Sequence, residues 1–317
     1  MLALTQINVW HWAGFIVIIL VLLGLDLGVF HRFARVVRVK EAVLWTVIWF
    51  ILALLFARVV AALRGEEEAL EFLTGYVIEF SLSMDNVFVM ALIFAYFNIA
   101  GKDQHRVLYW GILGALIMRG AMIGVGAALI QTVHWIYYLL GGFLVFTGIK
   151  WAIVNDDEVR PERNLVVRFA RKIFPVSNDT SGKFITRVNG RFALTTLALV
   201  LLMVETTDLL FAVDSVPAVF AVTQQPFIVF TSNIFAILGL RSLYFVLAGA
   251  IKYFRFLKAG LAMVLILIGT KMLTATWYKF PIAISLPTVT GIIGISILAS
   301  MIAAWREKRG KKTEAVE

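Results

Sequence analysis

Cysteine is missing from this chain of 317 residues, which excludes disulfides, thiolate metal sites and thiol catalysis. Histidine is scarce: His11, His31, His105 and His134 are too few for a zinc or copper centre built on imidazole. Charge is scarce as well, at 15% of residues, where ordinary soluble domains carry about 25%. There is no P-loop, no HExxH and no GxSxG. With no nucleotide site, any active transport by this chain has to draw on an ion gradient. No enzyme activity and no tightly bound cofactor are expected.

What the chain has instead is apolar surface. Hydrophobic residues make up 61% of it and the mean hydropathy is +0.90. A soluble core cannot absorb so much, so the fold class is all-α integral membrane. A spanning helix needs about 20 mainly apolar residues. Nine spans are expected, at 8–30, 41–63, 71–97, 107–130, 134–154, 193–222, 227–250, 259–277 and 283–305. The first lacks a preceding basic stretch and a small-residue cleavage site, so it reads as a retained helix and not a removed signal.

Loop charge orders these spans. Most of the 29 Lys and Arg fall after the first, third, fifth, seventh and ninth spans. The other side carries Glu66, Glu67 and Glu68 and short loops with little charge. The positive-inside rule then puts the N-terminus outside and the C-terminus in the cytoplasm, and it explains the net charge of +9 without a nucleic-acid partner. The organisation expected for 1–317 is a single transmembrane domain. It comprises two N-terminal helices (8–63), a three-helix unit (71–154), a cytoplasmic linker (155–192), a second three-helix unit (193–277), a last helix (283–305) and a basic cytoplasmic tail (306–317). Within the linker, Asn164 to Phe174 suits either a short amphipathic surface helix or a solvated loop.

The two three-helix units resemble each other. Glu79-x5-Asp85-Asn86-Val87 matches Asp208-x5-Asp214-Ser215-Val216 in acid spacing and in the small polar residue and valine after the second acid. Arg119 and Arg241 each sit alone in the next span, and Gly148-Ile149-Lys150 matches Gly269-Thr270-Lys271 in the third. Three helices per unit is odd, so the units enter the membrane from opposite sides: spans 3–5 and 6–8 are expected to be inverted repeats, a plan recurrent in secondary transporters.

Asp26, Glu79, Asp85, Glu205, Asp208 and Asp214 lie in otherwise apolar spans, where each charge costs roughly 2.5–3.5 kcal/mol at mid-depth. Arg119, Lys150, Arg241 and Lys271 are the basic residues available to them. On a straight helix Glu79 and Asp85 stand about 120° and ~9 Å apart, whereas Glu205 and Asp208 share a face. A single cluster therefore needs several helices or a broken one, and Pro217 and Asn86 mark the places where a break would free carbonyl oxygens. The expected core is Asp85 and Asp214, with Glu79, Glu205 and Asp208 beside them and Asn86 or Asn233 as neutral oxygen ligands. Such a set suits Mg²⁺, Ca²⁺ or Mn²⁺, and protons would compete for it. Each acid has a plainer alternative, a salt bridge to an intramembrane base.

Read in full, Leu73-Thr74-Gly75-Tyr76-Val77-Ile78-Glu79, running into Ser83-Met84-Asp85-Asn86-Val87-Phe88, resembles the first signature of the TerC/Alx family. Val204-Glu205-Thr206-Thr207-Asp208 through Asp214-Ser215-Val216-Pro217-Ala218 is similar to its second, and Phe227 to Arg241 to the segment after it. The resemblance runs from Asp26 to Trp305. It implies a bacterial inner-membrane protein that exports Mn²⁺, in a family first named for tellurium resistance, with Asp26, Glu79, Asp85, Glu205, Asp208 and Asp214 as the acidic set. Phe80 departs from the lysine or other polar residue expected of close relatives. The partners implied are Mn²⁺, protons as counter-ion and the lipid bilayer. The competing readings are transport of Ca²⁺ or of a tellurite-type oxyanion held by Arg119 and Arg241, or a membrane scaffold that transports nothing.

Overall fold

The computed structural model describes residues 9–30, 39–133, 135–153, 164–177, 182–188, 190–248, 256–275, 277 and 281–314. Nine long helices appear among them. They are α1 (Val9–Phe30), α2 (Val39–Arg64), α3 (Glu66–Tyr96), α4 (Gly101–Thr132), α5 (Ile136–Ile153), α7 (Thr196–Phe220), α8 (Pro226–Ala248), α9 (Leu257–Thr274) and α10 (Ile282–Glu314). Eight, α2 to α5 and α7 to α10, are long and apolar enough to cross a membrane, and Val9–Gly24 of α1 is a shorter apolar stretch. The molecule is an all-α integral membrane protein: every one of these candidate spans is a helix, which satisfies its backbone hydrogen bonds within the segment, as a backbone in lipid must.

Helix ends differ from the expected spans where polar residues continue the helix beyond the apolar run. Glu66, Glu67 and Glu68 form the first turn of α3, not a loop, and their charge complements the helix N-terminus. Gly65, at φ +104°, makes the reversal between α2 and α3 in a single residue, a conformation open to glycine. Arg64 and Glu68 pair across that reversal. The expected basic tail, 306–317, is helical through Glu314, because its Arg, Lys and Glu are good helix formers.

Two expectations about the interior are corrected. Pro217 does not break α7. It lies in the last turn, where its carbonyl still accepts from Ala221 N–H at 3.0 Å, so little helix remains to be disrupted. Nor does α3 break at Asn86, whose side chain bonds to another helix instead of to its own backbone.

The linker contains a helix and a sheet. In α6 (Leu165–Ile173), Asn164 Oδ1 caps the N-terminus by accepting from the N–H groups of Val166 and Val167. Three short strands come next: β1 (Val176–Ser177), β2 (Ile185–Val188) and β3 (Arg191–Thr195), with β3 central, parallel to β1 and antiparallel to β2. Thr195 ends β3 and caps α7 in one step, its Oγ1 accepting from Ala198 N–H.

In the bundle, α8 is the most enclosed helix, packed on α2, α3 and α4. α5 and α9 cross at backbone contact. A Cβ on Gly148 would meet the Ala262 carbonyl at 2.8 Å, and one on Gly269 would meet the Gly141 carbonyl at 2.6 Å. Exchanging 141 with 262 and 148 with 269 turns the first contact into the second.

Candidate ion site at the centre of the bundle

Arg119, in the middle of α4, is fully buried. Its Nη1 donates to Glu79 of α3, to Ser215 Oγ of α7 at 3.1 Å and to Asn233 Oδ1 of α8 at 3.1 Å. Its Nη2 donates to Asp208 Oδ1 of α7 at 3.3 Å. Ser83 Oγ donates to Glu79 Oε1 at 3.2 Å, and Asn86 Nδ2 donates to Asp208 Oδ1 at 3.1 Å. Asn233 is held in turn by donation from its Nδ2 to Val229 O at 3.0 Å. Four helices thus build one polar hub. Two carboxylates against one guanidinium leave it a single net negative charge.

Three oxygens of this hub are shielded from solvent and lack a hydrogen-bond partner: Glu79 Oε2, Asp208 Oδ2 and Asn86 Oδ1. An unsatisfied buried acceptor costs about 1–3 kcal/mol, so three around one cation need an explanation. Among the described residues, no three acidic or imidazole side chains are set to grip a metal ion together. Arg119 bridges the two nearest acids itself.

The helix pair α3/α7 decides which residues meet. Asn86 bonds Asp208, and Glu79 and Ser215 share Arg119 Nη1, so the two helices run antiparallel past each other. Asn86 and Ser215 face the hub. The acid that precedes each is turned about 100° away around its helix. Asp85 and Asp214, expected as the core of the site, therefore lie off this hub. Asp214, half-buried, accepts from Thr147 Oγ1 of α5 at 3.3 Å, with Lys150 within electrostatic reach. Asp85 is half-buried on α3, about 7 Å from Asp214 along the helix axes by this register.

The remaining expected residues are spread around the hub. Glu205 is one turn from Asp208, and its carboxylate lies against Gly114 of α4, where any Cβ would overlap it. Arg241 is buried in α8. Gly75 stands opposite Ser232, so Arg241, nine residues further along α8, comes level with Met84 and Asp85. Lys150 is exposed on the outside of α5. Lys271 Nζ donates to Ser285 Oγ of α10 at 3.1 Å. Asp26 belongs to α1, and its side chain lies outside the described residues.

Sequence reasoning missed several participants. Ser83 could have been found, since it lies four residues after Glu79 and shares its face. Thr147 and Gly114 carry no local signal, because their partners come from other helices. Glu71 was hidden beside the Glu66–Glu68 run. It accepts from the Thr223 side chain and lies near Lys271, which makes a second acid–base group about 12 Å along α3 from Glu79. Phe80, which departs from the polar residue expected there, stacks on Tyr76 at 5.8 Å and touches Gly239, so it is packing at the α2–α3–α8 junction.

Comparison with known proteins agrees with the motifs. Residues 64–312 match the integral membrane protein TerC family. The chain is 50% identical over 292 residues to the membrane protein STKORF319 of Myxococcus xanthus, covering 92% of each. It is 44% identical over 311 residues to a protein of Escherichia coli K12 that carries the name membrane-bound redox modulator Alx, covering 95% of this chain and 96% of that one. It is likewise 44% identical over 315 residues to the Salmonella typhi protein of the same name, covering 96% and 97%. No solved structure matches. By the extent of these matches, and by the two acidic motifs whose side chains build the hub, this chain belongs to the TerC family of integral membrane proteins.

Proposed function

We propose that the protein exports Mn²⁺ from the cytoplasm through the Arg119 hub, exchanging it against protons, as a multi-pass protein of the bacterial inner membrane with its N-terminus outside. One observation carries this reading: buried Glu79, Asp208 and Asn86 each keep one oxygen unpartnered beside a guanidinium that already holds the two acids. Oxygen-only ligands select hard or borderline divalent cations over zinc or copper. Arg119 acts as the resting occupant. When a divalent ion arrives, the guanidinium gives up one carboxylate and Glu205 swings from its slot over Gly114 to supply further charge. Protons competing with the metal ion for carboxylates along the path would couple the two ions. The matching crossings of α3 with α7 and of α5 with α9 support two units of opposite orientation, which is the geometry alternating access uses.

Other functions fit less well. An oxyanion would need Arg119 free, and two carboxylates neutralise it. A scaffold has no use for unsatisfied buried acids. The relatives named as redox modulators do not suggest thiol chemistry for this chain, which has no cysteine.

The test is Mn²⁺ flux in proteoliposomes with a pH-sensitive dye inside, comparing wild type with Asp208→Asn and Asp85→Asn. Flux at least about tenfold lower in Asp208→Asn, in protein that melts normally, supports the hub as the path. A dye signal that tracks the metal supports antiport. Undiminished flux in both variants removes the acids from the mechanism, and no flux from folded wild type with any divalent ion removes the transporter reading.

A further inference from the structure

The linker presents an apolar surface that the bundle does not cover. In α6, Val167 and Ala170 are buried in the same core as Leu197 and Val200 of α7. Next to them around the helix, Val166, Phe169 and Ile173 project outward, with Phe169 65% and Ile173 53% exposed. Lys172 and Arg168 border that arc, about 60° and 100° from Phe169, and Arg171 stands about 160° from it on the opposite side, as a spacing of 100° per residue requires. The hairpin of β2 and β3 repeats the pattern. Ile185 and Phe192, 57% and 61% exposed, share a face with Arg187, whose guanidinium lies 5.0 Å from the Phe192 ring centre. Soluble surfaces seldom leave such a patch bare.

Position and charge say what covers it. β3 runs directly into α7, a spanning helix, and α6 packs on the start of α7, so this surface lies within about one helix diameter, 10–12 Å, of the point where α7 enters the bilayer. The unit is fixed there on a second side, because Arg106 Nη1 of α4 donates to Gly182 O at 2.5 Å. Residues 164–195 hold six Lys and Arg and a single acid, Asp179. An apolar arc flanked by bases, at membrane level, is the chemistry of an interfacial helix that reads anionic lipid. We propose that α6 and the β2–β3 hairpin dock on anionic phospholipids at the membrane face from which α7 enters, Phe169, Ile173, Ile185 and Phe192 sinking into the acyl boundary and Arg168, Lys172 and Arg187 holding phosphate.

The absence of cysteine makes the test direct. The full chain carrying Phe169→Cys, labelled with a polarity-sensitive dye, is reconstituted in phosphatidylcholine with or without phosphatidylglycerol, and brominated lipid serves as quencher. Arg171→Cys, labelled identically, reports the opposite face. The expected result is quenching several-fold stronger at 169 than at 171, deepened by phosphatidylglycerol. Arg168→Glu or Lys172→Glu should weaken the phosphatidylglycerol effect about fivefold each. Equal quenching at both positions, or a dye at 169 that stays in water, overturns the proposal and leaves the patch for a protein partner. Quenching indifferent to phosphatidylglycerol overturns the recognition of anionic headgroups.

Discussion

Arg119 is a buried cation that two acids from two other helices hold in place. In Arg119→Met the volume is nearly kept, but Glu79 and Asp208 are left buried without a counter-charge. The expected loss is about 3–5 kcal/mol, seen as a lower melting temperature in detergent. Adding Glu79→Gln removes one of the stranded charges and should recover much of that loss. If the double variant melts no higher than the single one, the hub is packing and not electrostatics. The choice of hub residues was only partly legible. Acids in apolar spans announce themselves by cost, so Glu79 and Asp208 were found. Which acid of each pair faces inward depends on how two helices are rotated against each other, and one residue of rotation, about 100°, moved Asp85 and Asp214 off the hub and put Asn86 and Ser215 on it.

At the scale of elements, the α5–α9 crossing is the tightest junction, and glycine is the condition for it. A side chain on Gly269 would strike the backbone of α5, at Gly141 O and at Val145 N, and backbone cannot move aside as a flexible side-chain end can. Gly269→Val should cost at least about 1–3 kcal/mol, measured as a fall in thermal stability. At Gly291, where no neighbour lies within 4 Å, the same change should be nearly silent. Equal melting temperatures for the two would show that the helices part freely. The long helices were readable because apolar length is a property of each segment alone. The linker sheet was not, because strands of two, four and five residues with mixed charge carry no clear period, and their pairing is set by the ends of α4 and α7.

The whole molecule puts opposite residues at its two ends. Glu71, Thr223, Lys271 and Ser285 gather at one end of the bundle, and Gln104, Arg106, Gly182 and Tyr244 at the other. The proposed orientation places the first group outside. A cysteine at Glu67, in the exposed first turn of α3, should then react with an impermeant maleimide added to intact spheroplasts, whereas one at Lys102 should react only after lysis. The reverse pattern would invert the protein in the membrane and with it the direction of transport. The loop charges already pointed to this arrangement. The pairing of α3 with α7 around a common centre is not written in either segment, because it depends on a contact between residues more than 100 positions apart in the chain.

The hub also bears on how the chain gets into the membrane during synthesis. Glu79 and Arg119 lie on consecutive helices joined by a short turn, so α3 and α4 can leave the insertion machinery together with this pair of buried charges already matched. Asp208 is made roughly ninety residues later and has no cation on its own helix, so α7 must find a guanidinium already waiting in the lipid. Insertion in the order of synthesis would then make α3 and α4 the template on which α7 is admitted.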